Sequence, residues 1–384
     1  MDEHGQLQFR LHLNVDDSEL ENLEVLNLYR NSLENDQLYN LAKFKKLHTL
    51  NISENKVDLT HIHNITSLTK LTMGICGLKN IELISSLVNL KDLDISYNNF
   101  ITDIVPLHKL NSLTTLSLRQ CDLMKIDQIA QLTTLEVLDI SDNQLYTIDS
   151  IRFLVNLKEL NISSNMYIDI NPLKDLVGLI KLNMKNCNLK QLRALKPLIN
   201  LQDLDLSFNY NYNINISELQ YVKNLTHLNL FCCNLVSIYV LRPLVNLEEL
   251  NVKTNNIVYL DADPYEMKKL EKFSVDNNRV IDLSSIEQHP NYNNINENGW
   301  RTFYLSDQKE PSEEELRKAN KLRKIESPNI QLKEIQNQHK ALKTALNNVK
   351  QEINATISNA WQSKIQFTAN VVRLFQLLNK FGFE

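Results

Sequence analysis

The sequence predicts an α/β solenoid followed by an α-helical tail. The main observation is a short segment, Leu-x-x-Leu-x-Leu-x-x-Asn with similar replacements, that occurs twelve times between residues 23 and 278. Its copies begin 21 to 24 residues apart, which is the self-similarity expected of a chain built from stacked repeats. The second observation is that residues 331–380 contain no glycine or proline, which favours continuous helix.

The middle of each repeat is predicted to form a short β-strand. In the sixth copy, Leu138 and Ile140 alternate with other residues, as in a strand that turns every second side chain toward the core. Asn143 follows three residues later, where the chain leaves the strand. A buried side chain at that point has to donate and accept hydrogen bonds to the neighbouring turns, and an amide can do both.

A second apolar series closes each repeat on the side opposite the strand. In the sixth copy it consists of Leu145, Ile148, Ile151 and Leu154, three residues apart, which suits a short 3-10 or α-helical turn. One repeat cannot bury these side chains alone, so we expect neighbouring repeats to stack into one continuous core.

Four of the five cysteines, Cys76, Cys121, Cys187 and Cys233, occupy the asparagine position of a repeat. The intervening repeats separate these residues well beyond the ~7 Å Cα–Cα limit of a disulfide, so the sequence predicts buried free thiols. Cys232 lies just outside the position, and no partner base or metal-ligand spacing accompanies it. Because free thiols favour a reducing compartment, we expect a cytoplasmic protein.

The repeat LxxLxLxxNxIxxIxxLxxL, with a period near 22 residues, resembles the SDS22-like class of leucine-rich repeats (LRRs). The runs Asp-Ile-Val-Pro-Leu at 103–107 and Ile-Asn-Pro-Leu at 170–173 also resemble repeats of the bacterial internalin adhesins. The resemblance implies a right-handed horseshoe with a parallel β-sheet on its concave face and short 3-10 or helical turns outside. It also implies protein binding as the default role, without naming the partner.

The chain divides into four predicted parts. Residues 1–22 contain an alternating, strand-like segment, which we interpret as an N-terminal cap. A twelve-repeat LRR solenoid covers 23–283, and 284–310 is predicted to be a C-terminal cap and linker, whose aromatic residues cover the open end of the core. Residues 311–384 are the predicted α-helical tail, arranged as a coiled coil or a hairpin.

The tail begins with the capping-box spacing of Ser312 and Glu315 and continues with an apolar stripe at helical spacing. The members of this stripe that we expect to support assembly are Leu342, Leu346, Val349, Ile353, Phe367, Val371, Leu374 and Leu378. So much apolar surface needs a cover, since burial is worth ~25 cal/mol per Å². Three covers remain open: self-association into a homo-oligomer, folding back onto the solenoid, or a membrane surface.

Composition and motifs argue against several classes of function. Lys and Arg number 41 against 46 Asp and Glu, and this net charge of −5 does not suit nucleic-acid binding. No apolar run approaches the ~20 residues of a membrane span, and we expect no exported leader from the first residues. No P-loop, dinucleotide fingerprint, HExxH or Gly-x-Ser-x-Gly motif occurs. We therefore expect no catalytic, cofactor or metal site; His61 and His63 lack a third ligand at a suitable spacing.

The predicted binding surface is the exposed side of the concave sheet, whose central column is mostly asparagine, aspartate, serine and threonine. Aromatic and arginine side chains are scarce there, and such side chains dominate the binding energy of protein interfaces. Tyr97, Arg119, Phe208 and Phe231 are therefore the predicted partner-binding residues. The predicted function is a non-enzymatic protein-interaction scaffold, in which the tail supplies oligomerisation or a second contact.

Three other functions remain open from the sequence. The SDS22-like resemblance implies a regulatory subunit of a protein phosphatase, which would associate with a catalytic subunit. The internalin resemblance implies a surface or secreted adhesin, whose N-terminus would be processed. A purely structural protein that assembles through its tail would lose its oligomers on deletion of residues 311–384.

Overall fold

The computed structural model describes residues 22–260, 266–293 and 303–321, together with the single residues 351, 370 and 373. The N-terminal cap predicted before the first repeat lies almost entirely outside the described residues. All eight tail residues predicted to support assembly also lie outside them: Leu342, Leu346, Val349, Ile353, Phe367, Val371, Leu374 and Leu378. The chain divides into two compact units, Met1–Ala319 and Asn320–Glu384, and the fold described below is that of the first.

A parallel sheet of thirteen strands runs through the described part of the first unit, and each strand lies beside its neighbour in sequence. The strands are β1 (Val25–Asn27), β2 (Thr49–Asn51), β3 (Lys70–Thr72), β4 (Asp92–Asp94), β5 (Thr115–Ser117), β6 (Val137–Asp139), β7 (Glu159–Asn161), β8 (Lys181–Asn183), β9 (Asp203–Asp205), β10 (His227–Asn229), β11 (Glu249–Asn251), β12 (Lys272–Ser274) and β13 (Phe303–Tyr304). The register pairs equivalent positions of successive repeats, as Leu204 with Leu228. The predicted α/β solenoid with a parallel sheet is confirmed.

Short helices lie on the return path between strands. The nine 3-10 helices among the described residues are Asn35–Lys43, Glu82–Ser86, Val105–Lys109, Asp127–Gln131, Asp149–Phe153, Asn171–Asp175, Arg193–Leu195, Ser217–Tyr221 and Tyr239–Leu241. A 3-10 helix aligns side chains three residues apart, which is the spacing of the second apolar series. Ser284–Glu287 is a short α-helix, and residues 313–321 form a C-terminal helix.

The two apolar series of each repeat meet in one continuous core. In the sixth repeat, Leu138, Ile140, Ile148 and Ile151 are at most 1 % exposed. Equivalent residues of neighbouring repeats belong to the same hydrophobic cluster. Full burial of each such side chain stabilises the fold by ~1.5–3 kcal/mol, and no single repeat could achieve it alone.

Buried asparagines fix the turn that follows each strand. The Oδ1 atom of Asn209 accepts hydrogen bonds from the backbone N–H groups of Cys187 at 3.0 Å and Leu189 at 3.1 Å. Its Nδ2 atom donates to the carbonyls of Met184 at 2.9 Å and Leu206 at 2.8 Å. Closely similar bonds are made by Asn55, Asn98, Asn143, Asn165, Asn255 and Asn278. Each amide thus joins two repeats, as its position in the sequence predicts.

The four cysteines at the asparagine position are buried free thiols, as predicted. Each Sγ lies 3.1 to 3.4 Å from a backbone carbonyl of the preceding repeat, to which the thiol donates. Burial raises the pKa to about 11 for Cys76 and Cys121, and to about 12 for Cys187 and Cys233. The four groups are therefore protonated and unreactive near neutral pH.

The sheet continues past the twelve repeats of the sequence pattern. β13 pairs in parallel with β12, and the ring of Phe303, 4 % exposed, lies 6.1 Å from that of Phe273 between centroids. Gln308 takes the place of the repeat asparagine, since its Nε2 atom donates to the carbonyl of Val275 at 3.0 Å. Phe303, Leu305 and Gln308 have the spacing of a repeat, and the glutamine hides it from a search for asparagine.

The C-terminal helix begins with the predicted capping box. The backbone N–H of Ser312 donates to Glu315 Oε2 at 2.8 Å, and the N–H of Glu315 donates to Ser312 Oγ at 3.3 Å. Arg279 Nε lies 2.6 Å from Glu315 Oε1, and Ala319 is 2 % exposed. This ion pair and the burial of Ala319 hold the first turns of the helix on the last repeats.

Candidate functional site

The exposed face of the sheet, which we call the concave face, carries four side-chain positions per repeat. In the ninth repeat these are Asp203, Asp205, Ser207 and Phe208, of which Ser207 is almost fully buried, while Leu204 between the first two faces the core. Because the register pairs equivalent residues, each position forms a column that crosses the strands. The concave face is therefore a grid of side chains, and the residue at each position determines the local charge and polarity.

The fourth position of this grid has a left-handed backbone in all thirteen repeats of the described residues, with φ between 49° and 62°. Its N–H donates to the third position of the next repeat, as Phe208 does to the carbonyl of Phe231 at 2.8 Å. Left-handed backbone costs an L-residue ~1–2 kcal/mol, and asparagine tolerates it best after glycine. Tyr97 and Phe208 occupy the position with φ of 59° and 62°, so each aromatic ring is placed against a backbone preference.

Tyr97 and Arg119 lie together on neighbouring repeats. The guanidinium carbon of Arg119 is 5.2 Å from the centroid of the Tyr97 ring, and Arg119 Nε lies 2.8 Å from Asp142 Oδ2. Desolvation lowers the pKa of Arg119, but the hydrogen bond and charge of Asp142 outweigh it and raise this pKa overall. We refer to Tyr97, Arg119 and Asp142 as the Tyr97 cluster.

Phe208 and Phe231 form the second pair. Their ring centroids are 4.9 Å apart and the rings are nearly perpendicular, an edge-to-face contact. Lys185 Nζ lies 5.0 Å from the Phe208 centroid on the side of the preceding repeat. We refer to Lys185, Phe208 and Phe231 as the Phe208 cluster.

The four residues predicted to bind a partner thus come together as two pairs and not as one patch. Tyr97 follows β4 and Phe208 follows β9, so five strand spacings separate them. At ~4.8 Å per spacing the clusters lie about 24 Å apart along the sheet. The sequence placed each residue on the concave face but gave no sign of this pairing, which depends on contacts between adjacent repeats.

Three carboxylates occupy the central column of the concave face: Asp94, Asp139 and Asp205. Each accepts a hydrogen bond from the backbone N–H of the serine two residues later, at 2.9, 2.9 and 2.7 Å respectively. Asp139 and Asp205 also accept from the side-chain amides of Asn161 and Asn229, at 3.0 and 3.1 Å. Neutral donors fix these carboxylates, and none of the three forms an ion pair within the described chain.

Two of these aspartates precede the two clusters in the same motif, which the sequence reasoning missed. Residues 94–98 read Asp-Ile-Ser-Tyr-Asn and residues 205–209 read Asp-Leu-Ser-Phe-Asn. The sixth repeat has the same frame with Asp142 in place of the aromatic residue. A comparison of repeats at the fourth grid position would have found the motif.

The first position of the grid carries charges that pair across strands. Lys70 and Asp92 lie 2.7 Å apart, Lys181 and Glu159 lie 2.9 Å apart, and Lys272 bonds to Glu249. Asp203 forms no such pair in the part of the chain that the structure describes. Desolvation raises its pKa, an effect that the nearby charges of His227 and Lys181 oppose. Asp203 adds a second incompletely compensated carboxylate beside the Phe208 cluster.

The rest of the described surface has fewer features that suggest a binding site. A shallow cavity of about 290 Å³, which no sequence pattern predicts, lies at the loop edge of repeats seven to nine, beside Tyr167, Lys190 and Tyr212. Over the described residues, no three His, Cys, Asp or Glu side chains come close enough to hold a metal ion. None of the helices described is both long and apolar enough to cross a bilayer.

Comparison with known proteins identifies the repeats. The family described as Leucine Rich repeats (2 copies) matches residues 66–107 and 133–176. No curated protein sequence matches the chain significantly. The family match covers two short stretches of the solenoid, and they contain the Tyr97 motif but not the Phe208 motif.

Solved structures share the fold at low sequence identity. An internalin (inlF) from Listeria monocytogenes aligns over 79 % of this chain and 87 % of its own, with a TM-score of 0.66 and 23 % identity. An LRR protein from Leptospira interrogans aligns over 80 % and 78 %, with a TM-score of 0.68 and 24 % identity. The functional domain of InlJ from Listeria monocytogenes, which includes a cysteine ladder, aligns over 77 % and 65 %, with a TM-score of 0.58 and 23 % identity. The chain therefore contains leucine-rich repeats and has the LRR solenoid fold that internalins share.

Proposed function

We propose that this protein is a non-enzymatic protein-interaction scaffold whose partner binds the concave face at the Tyr97 and Phe208 clusters. One observation carries the proposal: the aromatic side chains of the concave face are held in contacts between adjacent repeats, with Arg119 over the Tyr97 ring at 5.2 Å and the Phe208 and Phe231 rings 4.9 Å apart. LRR proteins typically act as interaction modules, which agrees with a binding role.

Both clusters have the composition of binding hot spots. Tyr97 is 36 % exposed, and Phe208 and Phe231 are half-buried, so each ring presents area to a partner while its neighbours hold it in place. Tyrosine, arginine and buried aromatic anchors contribute most to interface affinity, and truncation of one costs ~2 kcal/mol or more. The polar columns around the clusters would form the rim.

Affinity capture of binding partners from the source cells, quantified by mass spectrometry, tests the proposal. Wild-type protein and the variants Tyr97→Ala and Phe231→Ala are used as parallel baits, with Phe153→Ala as control. Phe153 is 56 % exposed but belongs to a 3-10 helix on the opposite side of the solenoid. We expect a partner that the two concave variants lose and the control retains. A partner lost only with Phe153→Ala, or retained by all variants, would exclude the concave face.

We further propose a cytoplasmic location and a role of the helical tail in self-association or a second contact. The buried free thiols support the location, because oxidising compartments select paired cysteines. Recovery of a phosphatase catalytic subunit in the same capture would support the SDS22-like subclass and a regulatory-subunit role.

An internalin-like adhesin is the second candidate, and its support is the fold that the chain shares with the Listeria internalin. This alternative predicts surface exposure of the protein on intact source cells. Protease treatment of intact cells, followed by mass spectrometry of the released peptides, separates the two locations. Peptides of this chain in the released fraction would favour the adhesin, and their absence alongside intact intracellular protein would exclude it.

A further inference from the structure

The two matched motifs, Asp94 to Asn98 and Asp205 to Asn209, place the same chemistry at two points of the concave face. In each, a carboxylate in the central column is followed three residues later by an aromatic ring at the left-handed position. Three residues of extended chain span at most about 10 Å between Cα atoms. A ring and a carboxylate at this separation can be bridged by one long side chain.

The carboxylates are fixed in place without being neutralised. Asp94 and Asp205 accept from the N–H groups of Ser96 and Ser207, which are neutral donors, and neither carboxylate forms an ion pair with another described residue. A carboxylate with free lone pairs binds a cationic donor by a charge-assisted hydrogen bond, stronger than the bond to a neutral donor. The central column contains no lysine or arginine of its own along the twelve strands from β1 to β12.

The rings already accept cations from the chain itself. Arg119 lies over Tyr97 at 5.2 Å and Lys185 over Phe208 at 5.0 Å. Arginine and lysine side chains have an apolar stem and a charged head, so they pack along a ring while the head reaches a polar group. The motif offers both halves of that contact: a ring for the stem and an aspartate for the head.

We propose that the Asp94–Tyr97 and Asp205–Phe208 pairs are two subsites for arginine or lysine side chains of a single partner segment. The segment presents two basic residues, each of which packs its apolar stem on the exposed part of one ring and directs its charged head to the aspartate. The two contacts reinforce each other, because binding at one subsite raises the effective concentration at the other. This inference rests on the proposed function and specifies the chemistry of the partner.

A library of randomised twelve-residue peptides, displayed on phage and selected on immobilised full-length protein, tests this inference. We expect enrichment of peptides that carry arginine or lysine at two separated positions. The paired substitution Asp94→Asn and Asp205→Asn keeps the acceptor for each serine N–H and loses the bond that Asp205 accepts from Asn229, as the control below loses the equivalent bond from Asn161. We expect it to weaken binding of the selected peptides about tenfold or more. The thermal midpoint should stay close to that of the wild type, which shows that the variant is folded.

Asp139→Asn is the matched control. Asp139 has the same serine hydrogen bond in the same frame but no aromatic residue three positions later. We expect this variant to bind the selected peptides as the wild type does. If the control loses binding equally, the loss results from the overall electrostatic potential of the sheet face and not from the two subsites, and the subsites would be rejected.

The remaining outcomes separate the inference from the proposed function. Enrichment of acidic or uncharged peptides whose binding is lost in Tyr97→Ala or Phe231→Ala would overturn the inference and leave the concave face as the binding surface. Peptides that bind equally to all variants, or no enrichment at all, would overturn both.

Discussion

At the left-handed position of each repeat, the side chain decides how much the backbone conformation costs. Ile75 holds this position in the third repeat with φ of 56° and is 51 % exposed, so little burial offsets the strain of a β-branched residue there. Asn186 holds it in the eighth repeat with φ of 54°. We predict that Ile75→Asn raises the free energy of unfolding by about 1 kcal/mol and that Asn186→Ile lowers it by a similar amount.

Urea unfolding followed by circular dichroism measures both changes as shifts of the midpoint at constant slope. Each variant serves as the control for the other, because the two exchange the same side chains at equivalent positions. A loss of stability in both would mean that apolar contacts of Ile75 outweigh its backbone strain. The backbone cost at Tyr97 and Phe208 would then also be small.

The buried thiols link stability to alkaline pH. Burial holds the pKa at about 11 to 12 for Cys76, Cys121, Cys187 and Cys233, whereas an unfolded thiol titrates near 8.5. The folded state retains protons that the unfolded state releases. The contribution of the thiols is therefore complete below about pH 8.5 and is lost as the pH rises through 11 to 12.

We predict that the unfolding midpoint falls between pH 8 and pH 10 more steeply in the wild type than in a variant with asparagine at all four positions. Asparagine occupies the same position in seven repeats with its hydrogen bonds satisfied, and it does not titrate. Parallel midpoints for the two proteins over this range would show that other groups, such as lysines and tyrosines, account for the whole dependence.

At the scale of elements, Arg279 links the last repeats to the C-terminal helix. It donates to the carbonyl of Glu310 and to the side chain of Asn256, both at 3.2 Å, in addition to its ion pair with Glu315. Desolvation alone would raise the pKa of Glu315, but hydrogen bonds from Ser312 and the charge of Arg279 hold it below the usual value. The helix start therefore depends on a group that lies in the solenoid.

We predict that Arg279→Met increases amide hydrogen exchange in residues 313–319 by an amount that corresponds to about 1–2 kcal/mol. Lys318→Met is the control, since its ion pair with Glu314 at 2.8 Å is exposed and contributes little to stability. Exchange measured by mass spectrometry on the full chain compares the two. Unchanged protection in Arg279→Met would mean that the burial of Ala319 alone holds the helix.

The elements differ in how far the sequence determines them. Strands such as β9 are predictable because Leu204 and Leu206 alternate with polar residues in a frame that recurs along the chain. The 3-10 helices follow from three-residue spacing, and the buried amide follows from the position of Asn209. β13 was not predictable in this way, because Gln308 replaces the asparagine that identifies the frame.

The candidate site was less predictable from the sequence than the strands and helices. Tyr97, Arg119, Phe208 and Phe231 could be assigned to the exposed face from alternation alone. Their pairing could not, because it depends on a left-handed residue of one repeat meeting the third grid position of the next. Backbone conformation after a strand is set by the neighbouring repeat and not by local preference, as the positive φ of Ile75 demonstrates.

At the scale of the whole molecule, the two compact units divide the predicted functions between recognition and assembly. The first unit ends at Ala319, and its last contacts include Gln308, Arg279 with Glu315, and the buried Ala319. Removal of the tail after Tyr304 would therefore cut into the final repeat. A truncation after Lys321 keeps all of these contacts and removes the predicted assembly stripe.

We predict that the full chain is a homo-oligomer and that residues 1–321 are monomeric, because the apolar stripe of the predicted tail requires a cover that a second copy can provide. Light scattering coupled to size exclusion measures both masses, and near-identical thermal midpoints would show that the truncated protein keeps its solenoid. Substitution of Leu342 and Leu346 by aspartate in the full chain is the matched test, because it removes apolar contacts without shortening the protein. Monomeric full-length protein would exclude self-association and leave another cover for the stripe. An oligomeric 1–321 protein would instead place assembly on the first unit.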